Sequence, residues 1–344
     1  ATERAATVVM QRGGSGDPPR GSRAAAGASK RKEHHVDVDQ LNKKFGIPEA
    51  AEFSGGWGDM PRLEVETELC KGELYLHGAH VTQWRPTGNQ PVLWTSMKSF
   101  FRPDKPIRGG VPICFPWFGP NDANPQLPSH GFARVMPWAV RAVTHEEDGA
   151  VTAILALEPT DYTLEMWDCR FEAVYTVRFG TTLTTSLEIR NVDTKPIAYT
   201  QALHHYFTVA DVRHVEIEGL SGAEYVNQLD DSRNTQGDEP IRFEGETDRV
   251  YVNTDAAVTL ADPGKNRLIT VEKAGSQSTV IWNPWIAKAS RMADFYDEDW
   301  PDMVCIETAN ARDNVVNLNP EQSHTMSTTL SVEPLRESIE DQTA

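Results

Sequence analysis

The sequence predicts an all-β protein, a large antiparallel β-sandwich made by a single domain, on three observations. Short segments alternate apolar and polar residues with the period of two that marks a half-buried strand. Turn residues separate those segments at regular intervals. No long segment carries a 3.6-residue period, and no glycine-rich strand-to-helix phosphate loop occurs.

The alternation is explicit in places. Leu63-Glu-Val-Glu-Thr-Glu-Leu69 puts its aliphatic residues on one face. Phe171, Ala173, Tyr175, Val177 and Phe179 share one face of a later strand, and Leu183, Leu187 and Ile189 one face of the next. Gly180 and Thr181 between them predict a hairpin turn. Further strands are expected at residues 151–157, 215–218, 258–261, 268–272, 279–282 and 326–332. Pro48-Glu-Ala-Ala-Glu52 could start a short helix.

Composition bounds the function. The 344 residues include 9 Trp, 8 Tyr and 12 Phe, enough to fill a large core. No apolar run reaches the roughly 18 residues of a membrane span, so a soluble protein is expected. The formal charge is −17. Residues 1–32 hold seven cations against two acids, so everything after them carries −22. A body this acidic does not bind nucleic acid through its general field, and an anionic ligand needs a local cluster of arginines. The stretch 1–50 is rich in Gly, Ala, Ser and Arg up to Lys32 and reads as a disordered basic tail. Residues 51–335 form the β domain and 336–344 a C-terminal tail. Cys70, Cys114, Cys169 and Cys305 lie far apart without metal spacing, and read as reduced thiols of an intracellular protein. The cytoplasm is the first choice of compartment, and the basic start leaves a plastid or mitochondrion open.

Candidate chemistry gathers in a few motifs. Arg108-Gly-Gly-Val-Pro-Ile-Cys-Phe-Pro-Trp-Phe-Gly-Pro120 is stiff and irregular, and Ser129-His-Gly-Phe-Ala-Arg134 follows it. Two arginines and a histidine around an apolar loop suit a polar anion, and a buried turn with two surface arginines is the bland alternative. Tyr199-Thr-Gln-Ala-Leu-His-His-Tyr-Phe207 carries adjacent histidines, only one of which can enter a given cleft. Period does not choose between His204 and His205, and a hydrogen-bonded structural histidine is the competing reading. Glu307 shares a face with Met303 and Cys305 on an apolar strand, where a carboxylate is costly unless paired or used. Trp282 and Trp285 could wall a sugar site or belong to the core. No Ser-His-Asp order, zinc cluster or paired-aspartate signature stands out. A histidine, a glutamate and two arginines suit proton shuffling on a sugar better than bond hydrolysis.

Together, RGGVPICFPWFGP, HGFAR, ALHHYF, WNPWIAKASRMADF and DMVCIE closely resemble the segments of the D-hexose-6-phosphate mutarotases, the glucose-6-phosphate 1-epimerase branch of the aldose 1-epimerase superfamily. The resemblance runs from about residue 63 to 332. It implies a galactose-mutarotase-like β-supersandwich with the sugar in a cleft on one sheet, and an isomerase that interconverts the α and β anomers of hexose 6-phosphates. It implies His204 as the general acid toward the ring oxygen and Glu307 as the general base toward the C1 hydroxyl. Arg108 and Arg134 resemble the substrate and phosphate ligands, and His130 a substrate-contacting histidine. Ser129 stands where relatives often have glutamine, and an acidic ligand of the sugar aligns with either Asn227 or Asp230. Such chemistry demands no metal, redox or covalent intermediate, so no cofactor is expected. The expected partner is the hexose 6-phosphate substrate, without nucleic acid or membrane, and the default oligomeric state is a monomer. The alternatives are an aldose 1-epimerase acting on unphosphorylated sugars, which the two arginines disfavour, and a non-catalytic sugar-phosphate-binding scaffold, which an intact acid–base pair disfavours.

Overall fold

Alternation in the sequence becomes sheet in three dimensions. The computed structural model describes residues 37–335, in which antiparallel strands dominate and helices are few and short. On the strand Phe171–Phe179 every second residue, from Phe171 to Phe179, is buried while those between are half-buried. Each large aromatic or aliphatic side chain removed from water this way contributes about 1.5–3 kcal/mol. The strand Leu183–Asn191 pairs with it in register, Phe179 opposite Leu183. The connection is therefore three residues long, with the Gly180 amide donating to the Thr182 carbonyl, and not the two-residue turn expected.

The expected strands extend into two eight-stranded sheets, a four-stranded one and a two-stranded one among the described residues. One large sheet runs from Glu216–Glu218 through Arg267–Ala274, Ser323–Pro334 and Phe171–Phe179 to the edge strand Ala139–His145. The other runs from Ser232–Thr235 and Glu224–Asn227 through Thr247–Val252, Ser278–Asn283 and Met303–Asn310 to Gln201–Leu203 and Ile113–Cys114, and Tyr206–Thr208 also pairs with Met303–Asn310. One hydrophobic cluster passes through both, with Val177 and Leu187 from the first sheet and Val280 and Ile306 from the second. Among the described residues no helix is long and apolar enough to cross a membrane.

The segment after Arg108 is threaded into this body. Gly109 and Gly110 have φ of 110° and 60°, and a Cβ at either would strike backbone, 2.4 Å from Thr95 Cα and 2.2 Å from the Val81 carbonyl oxygen. Only glycine meets both demands. Beyond them Phe115 anchors the loop, its ring edge-on to those of Phe132, Trp167, Phe171 and Tyr199.

Two expectations near the start are corrected. Val38–Phe45, inside the stretch expected to be a tail, is a helix. The Asp37 carboxylate caps its first amides, and Val38, Leu41 and Phe45 pack against the core. Asn42 then bonds the backbone of Phe53 in both directions. These apolar residues are too few to show a period against the polar sequence before them. Pro48–Glu52 is likewise no helix, since Ala51–Gly55 is a strand paired with Pro61–Glu66. The remaining parts of both expected tails, 1–36 and 336–344, lie outside the described residues.

Candidate active site

The strands of the second large sheet carry His204 and Glu307 to the floor of one cleft of about 560 Å³. Met303–Asn310 is buried along its whole length, so Glu307 has no route to bulk water except the cleft. His204 follows Gln201–Leu203, which pairs with Met303–Asn310, Leu203 opposite Thr308. This pairing sets the two side chains side by side, with His204 Nε2 3.2 Å from Glu307 Oε1.

Burial governs their charge. It pushes the Glu307 carboxyl well above the usual carboxylate range, the nearby Asp248 charge adds to the rise, and Arg134 opposes it. It pushes the His204 imidazole well below its ordinary value, and the neighbouring His130 ring and the charges of Arg134 and Arg108 push the same way. Burial thus disfavours the charge on each group, and the two titrate as a coupled pair.

His205 faces the other way. It is fully buried, does not line the cleft, and its ring stacks near that of Phe207 at 6.0 Å. Of the two histidines, which link Gln201–Leu203 to Tyr206–Thr208, it is His204 that stands in the cleft. The His204 ring stacks on Tyr206, centroids 4.6 Å apart and planes within 10°. The Tyr206 hydroxyl accepts a hydrogen bond of 2.9 Å from Arg108 Nη1, and Arg108 Nη2 lies 3.2 Å from the Asp294 carboxylate.

His130 also lines the cleft, its ring 5.9 Å from that of His204. The Gly119 amide donates to its Nδ1 at 3.2 Å, so the proton of the neutral ring resides on Nε2. Burial, with help from Arg134, holds His130 in that neutral form. Arg134 comes from the short turn Ala133–Val135 and does not itself line the cleft wall. Its Nη2 donates to the Ser129 carbonyl at 2.7 Å, and among the described residues no carboxylate pairs with it. Ser129 is an exposed rim residue of the cleft.

The opposite wall differs from expectation. Asn227 and Asp230 do not line the cleft. The Asn227 side chain accepts from the Leu229 amide, and Asp230 accepts from the amide and hydroxyl of Ser232, so both serve the turn between two strands. Their neighbours Gln228 and Asp231 face the cleft instead, together with Asp248, Lys288 and Arg312. Gln228 Nε2 donates to Asp248 at 2.7 Å, and Lys288 bridges Glu246 and Asp248 at 3.2 and 3.5 Å. The signal for Asp248 was present in Thr247-Asp-Arg-Val-Tyr-Val252, an acid within a strand otherwise rich in apolar residues. The register that aims Gln228 inward lies in a turn that alternation does not cover.

Of the two tryptophans, Trp282 stands in the cleft, edge-on to His204 at 6.0 Å, while Trp285 packs against Trp300 away from it. One face is therefore apolar, the floor holds an acid–base pair, one end is cationic, and the far wall is a hydrogen-bonded acid and amide. That arrangement suits a small polar ring with hydroxyl groups and an anionic substituent.

Comparison with known proteins agrees. Residues 61–331 match the family model described as aldose 1-epimerase. A protein of Salmonella typhimurium named "Putative glucose-6-phosphate 1-epimerase" is 35% identical over 277 residues, 79% of this chain and 92% of its own length. One of the same name from Cenchrus ciliaris is 36% identical over 73% of this chain and 78% of its own. A crystal structure described as "a putative mutarotase" from Salmonella typhimurium superposes with a TM-score of 0.78 at 32% identity, covering 86% of this chain and 99% of that one. A galactose mutarotase-like protein of Clostridium acetobutylicum shares the fold alone, with a TM-score of 0.64 at 14% identity, covering 83% of this chain and 98% of that one. With a match across most of its length and relatives this close, the chain belongs to the aldose 1-epimerase family.

Proposed function

We propose that the protein interconverts the α and β anomers of hexose 6-phosphates, glucose 6-phosphate first, with His204 and Glu307 as the acid–base pair. The observation that carries this reading is the buried contact of these two groups, 3.2 Å apart, with an arginine nearby that no carboxylate pairs among the described residues. The ring oxygen O5 and the hydroxyl oxygen O1 are both bonded to C1, so an acid and a base serving them must be neighbours.

Glu307 as carboxylate takes the proton of the C1 hydroxyl while His204 as imidazolium gives one to O5, and the C1–O5 bond breaks to leave an aldehyde. Rotation about C1–C2 presents the other carbonyl face. Closure by the reverse transfers forms the opposite anomer and returns both protons. The balance needs one proton on the pair: it leaves His204 for O5 while Glu307 gains another from the C1 hydroxyl, so the pair's proton count is unchanged. Each transfer typically contributes about 10²–10⁴-fold.

The surroundings support binding roles. His130, with its proton on Nε2, is a donor to a sugar oxygen. Asp248 and Gln228 offer an acceptor and an amide to ring hydroxyls, in the place first assigned to Asn227 or Asp230. Arg108 in the cleft lining, with Arg134 behind the wall, offers guanidinium charge to a phosphate dianion. Four free cysteines, three of them buried, support a reducing, intracellular setting.

The test is a side-by-side measurement of anomer exchange on glucose 6-phosphate and glucose. Hydrogen bonds to a charged group contribute about 1.5–3 kcal/mol each, so kcat/KM for the phosphorylated sugar should exceed that for glucose by about 100-fold. Equal values would remove phosphate recognition from the account and leave an epimerase for neutral aldoses.

A further inference from the structure

Resting on that reading, we infer that the bound anion does more than anchor the sugar: held at Arg108, it activates the proton transfer at His204, with Tyr206 as the residue that ties Arg108 to the imidazole.

The geometry is a short chain of contacts. Arg108 Nη1 donates to the Tyr206 hydroxyl at 2.9 Å, and the Tyr206 ring lies flat on that of His204, centroids 4.6 Å apart. Asp294 holds the other side of Arg108 at 3.2 Å. Arg108 and the imidazole are thus fixed to the same phenol, one through its oxygen and one through its face. An anion arriving at Arg108 changes the field at His204 without needing to move it.

The charged and titratable groups around His204 are few. Glu307 touches it, His130 stands ring to ring with it, and Arg134 and Arg108 act on it through the buried space between. Burial is the largest influence keeping the imidazole neutral, and the two arginines reinforce it. Asp294 offsets part of the Arg108 charge, whereas no carboxylate pairs with Arg134 among the described residues. In a poorly solvated site such fields are weakly screened. A phosphate dianion at Arg108 offsets the field of the two arginines and leaves the parts due to burial and to His130. The imidazole then accepts a proton more readily, the form needed to protonate O5. A sugar without phosphate meets a floor whose acid is still suppressed.

The consequence is that the anion need not be attached to the sugar. The experiment measures anomer exchange of glucose by the full chain in rising concentrations of inorganic phosphate, with sulfate as a second dianion that transfers no proton near neutral pH. Rates without protein at each concentration are subtracted, since phosphate itself catalyses ring opening. General acid catalysis is typically worth about 10²–10⁴-fold, so partial tuning should raise exchange about tenfold, saturating with either anion. In parallel, the ¹⁵N resonances of His204, assigned with His204→Gln, should move toward the protonated form as sulfate is added. Tyr206→Phe, which keeps the stacked ring and removes the hydroxyl, should reduce the activation severalfold and lower kcat on glucose 6-phosphate more than it raises KM. If phosphate and sulfate only inhibit glucose exchange, while glucose 6-phosphate is strongly preferred through KM alone, the inference is overturned and the proposed function stands. If glucose 6-phosphate is handled no better than glucose and the anions have no effect, both are overturned.

Discussion

His204 and Glu307 reach each other from paired stretches of backbone, Nε2 3.2 Å from Oε1, on a strand whose every residue is buried. Glu307 is fixed by its strand and His204 by the two-residue link between Gln201–Leu203 and Tyr206–Thr208, both of which pair with that strand, so the sheet preorganises the pair. Removing either member should therefore stop the chemistry without disturbing the fold.

His204→Ala and Glu307→Gln are each expected to lower exchange on glucose 6-phosphate by about 10²–10⁴-fold. Glu307→Gln keeps the shape and removes a buried ionisable group, so its melting temperature should match or exceed that of the native chain. A variant retaining native exchange would exclude that residue from the proton transfers.

Arg134→Gln should reduce kcat/KM on glucose 6-phosphate by about 10–100-fold, the loss of one or two charge-assisted hydrogen bonds. Glucose should be affected far less. Arg134 is the cleaner test than Arg108, whose removal would strand Asp294 buried without its partner. Equal losses on both sugars would mean that the arginine supports the loop and not the anion.

Asp248→Asn should move the acid limb of the kcat/KM profile to lower pH. The Asp248 charge helps to raise the Glu307 carboxyl, so without it Glu307 ionises at lower pH and the base form persists further into acid. A limb that stays in place, measured over the range where Glu307 titrates, would show that burial alone sets the value.

Stability should fall in acid through histidines outside the catalytic pair. Burial lowers His80 and His205 to about 3 in the fold, against 6.5 as the ordinary value. Between those limits the unfolded chain takes up protons that the folded one refuses, so the stabilising difference present above pH 6.5 is lost as pH falls toward 3. Each histidine should contribute a slope of about 1.4 kcal/mol per pH unit. Urea unfolding at several pH values checks this, and His205→Phe should flatten the slope by about one proton.

Much of this architecture was legible because strands declare themselves by period. Phe171 to Phe179 and Leu183 to Ile189 are buried in the alternation that the sequence displays. Glu307 was legible for a related reason, as a carboxylate in an apolar strand that needs a use. Other features were not. Val38–Phe45 is held by its aspartate cap and a small apolar face, too short to register as a period. Gln228 and Asp231 enter the cleft from a turn, where side-chain direction follows backbone dihedrals and not alternation, so attention fell on Asn227 and Asp230. The ion pair of Arg108 with Asp294 joins residues far apart in the chain, and local pattern carries no trace of it.

The central claim is tested most directly by saturation-transfer NMR on the C1 protons of glucose 6-phosphate. The native chain should exchange the α and β signals well above the spontaneous rate, and the double variant His204→Ala, Glu307→Gln should return exchange to that rate. A folded double variant that still exchanges the anomers like the native chain would contradict the account.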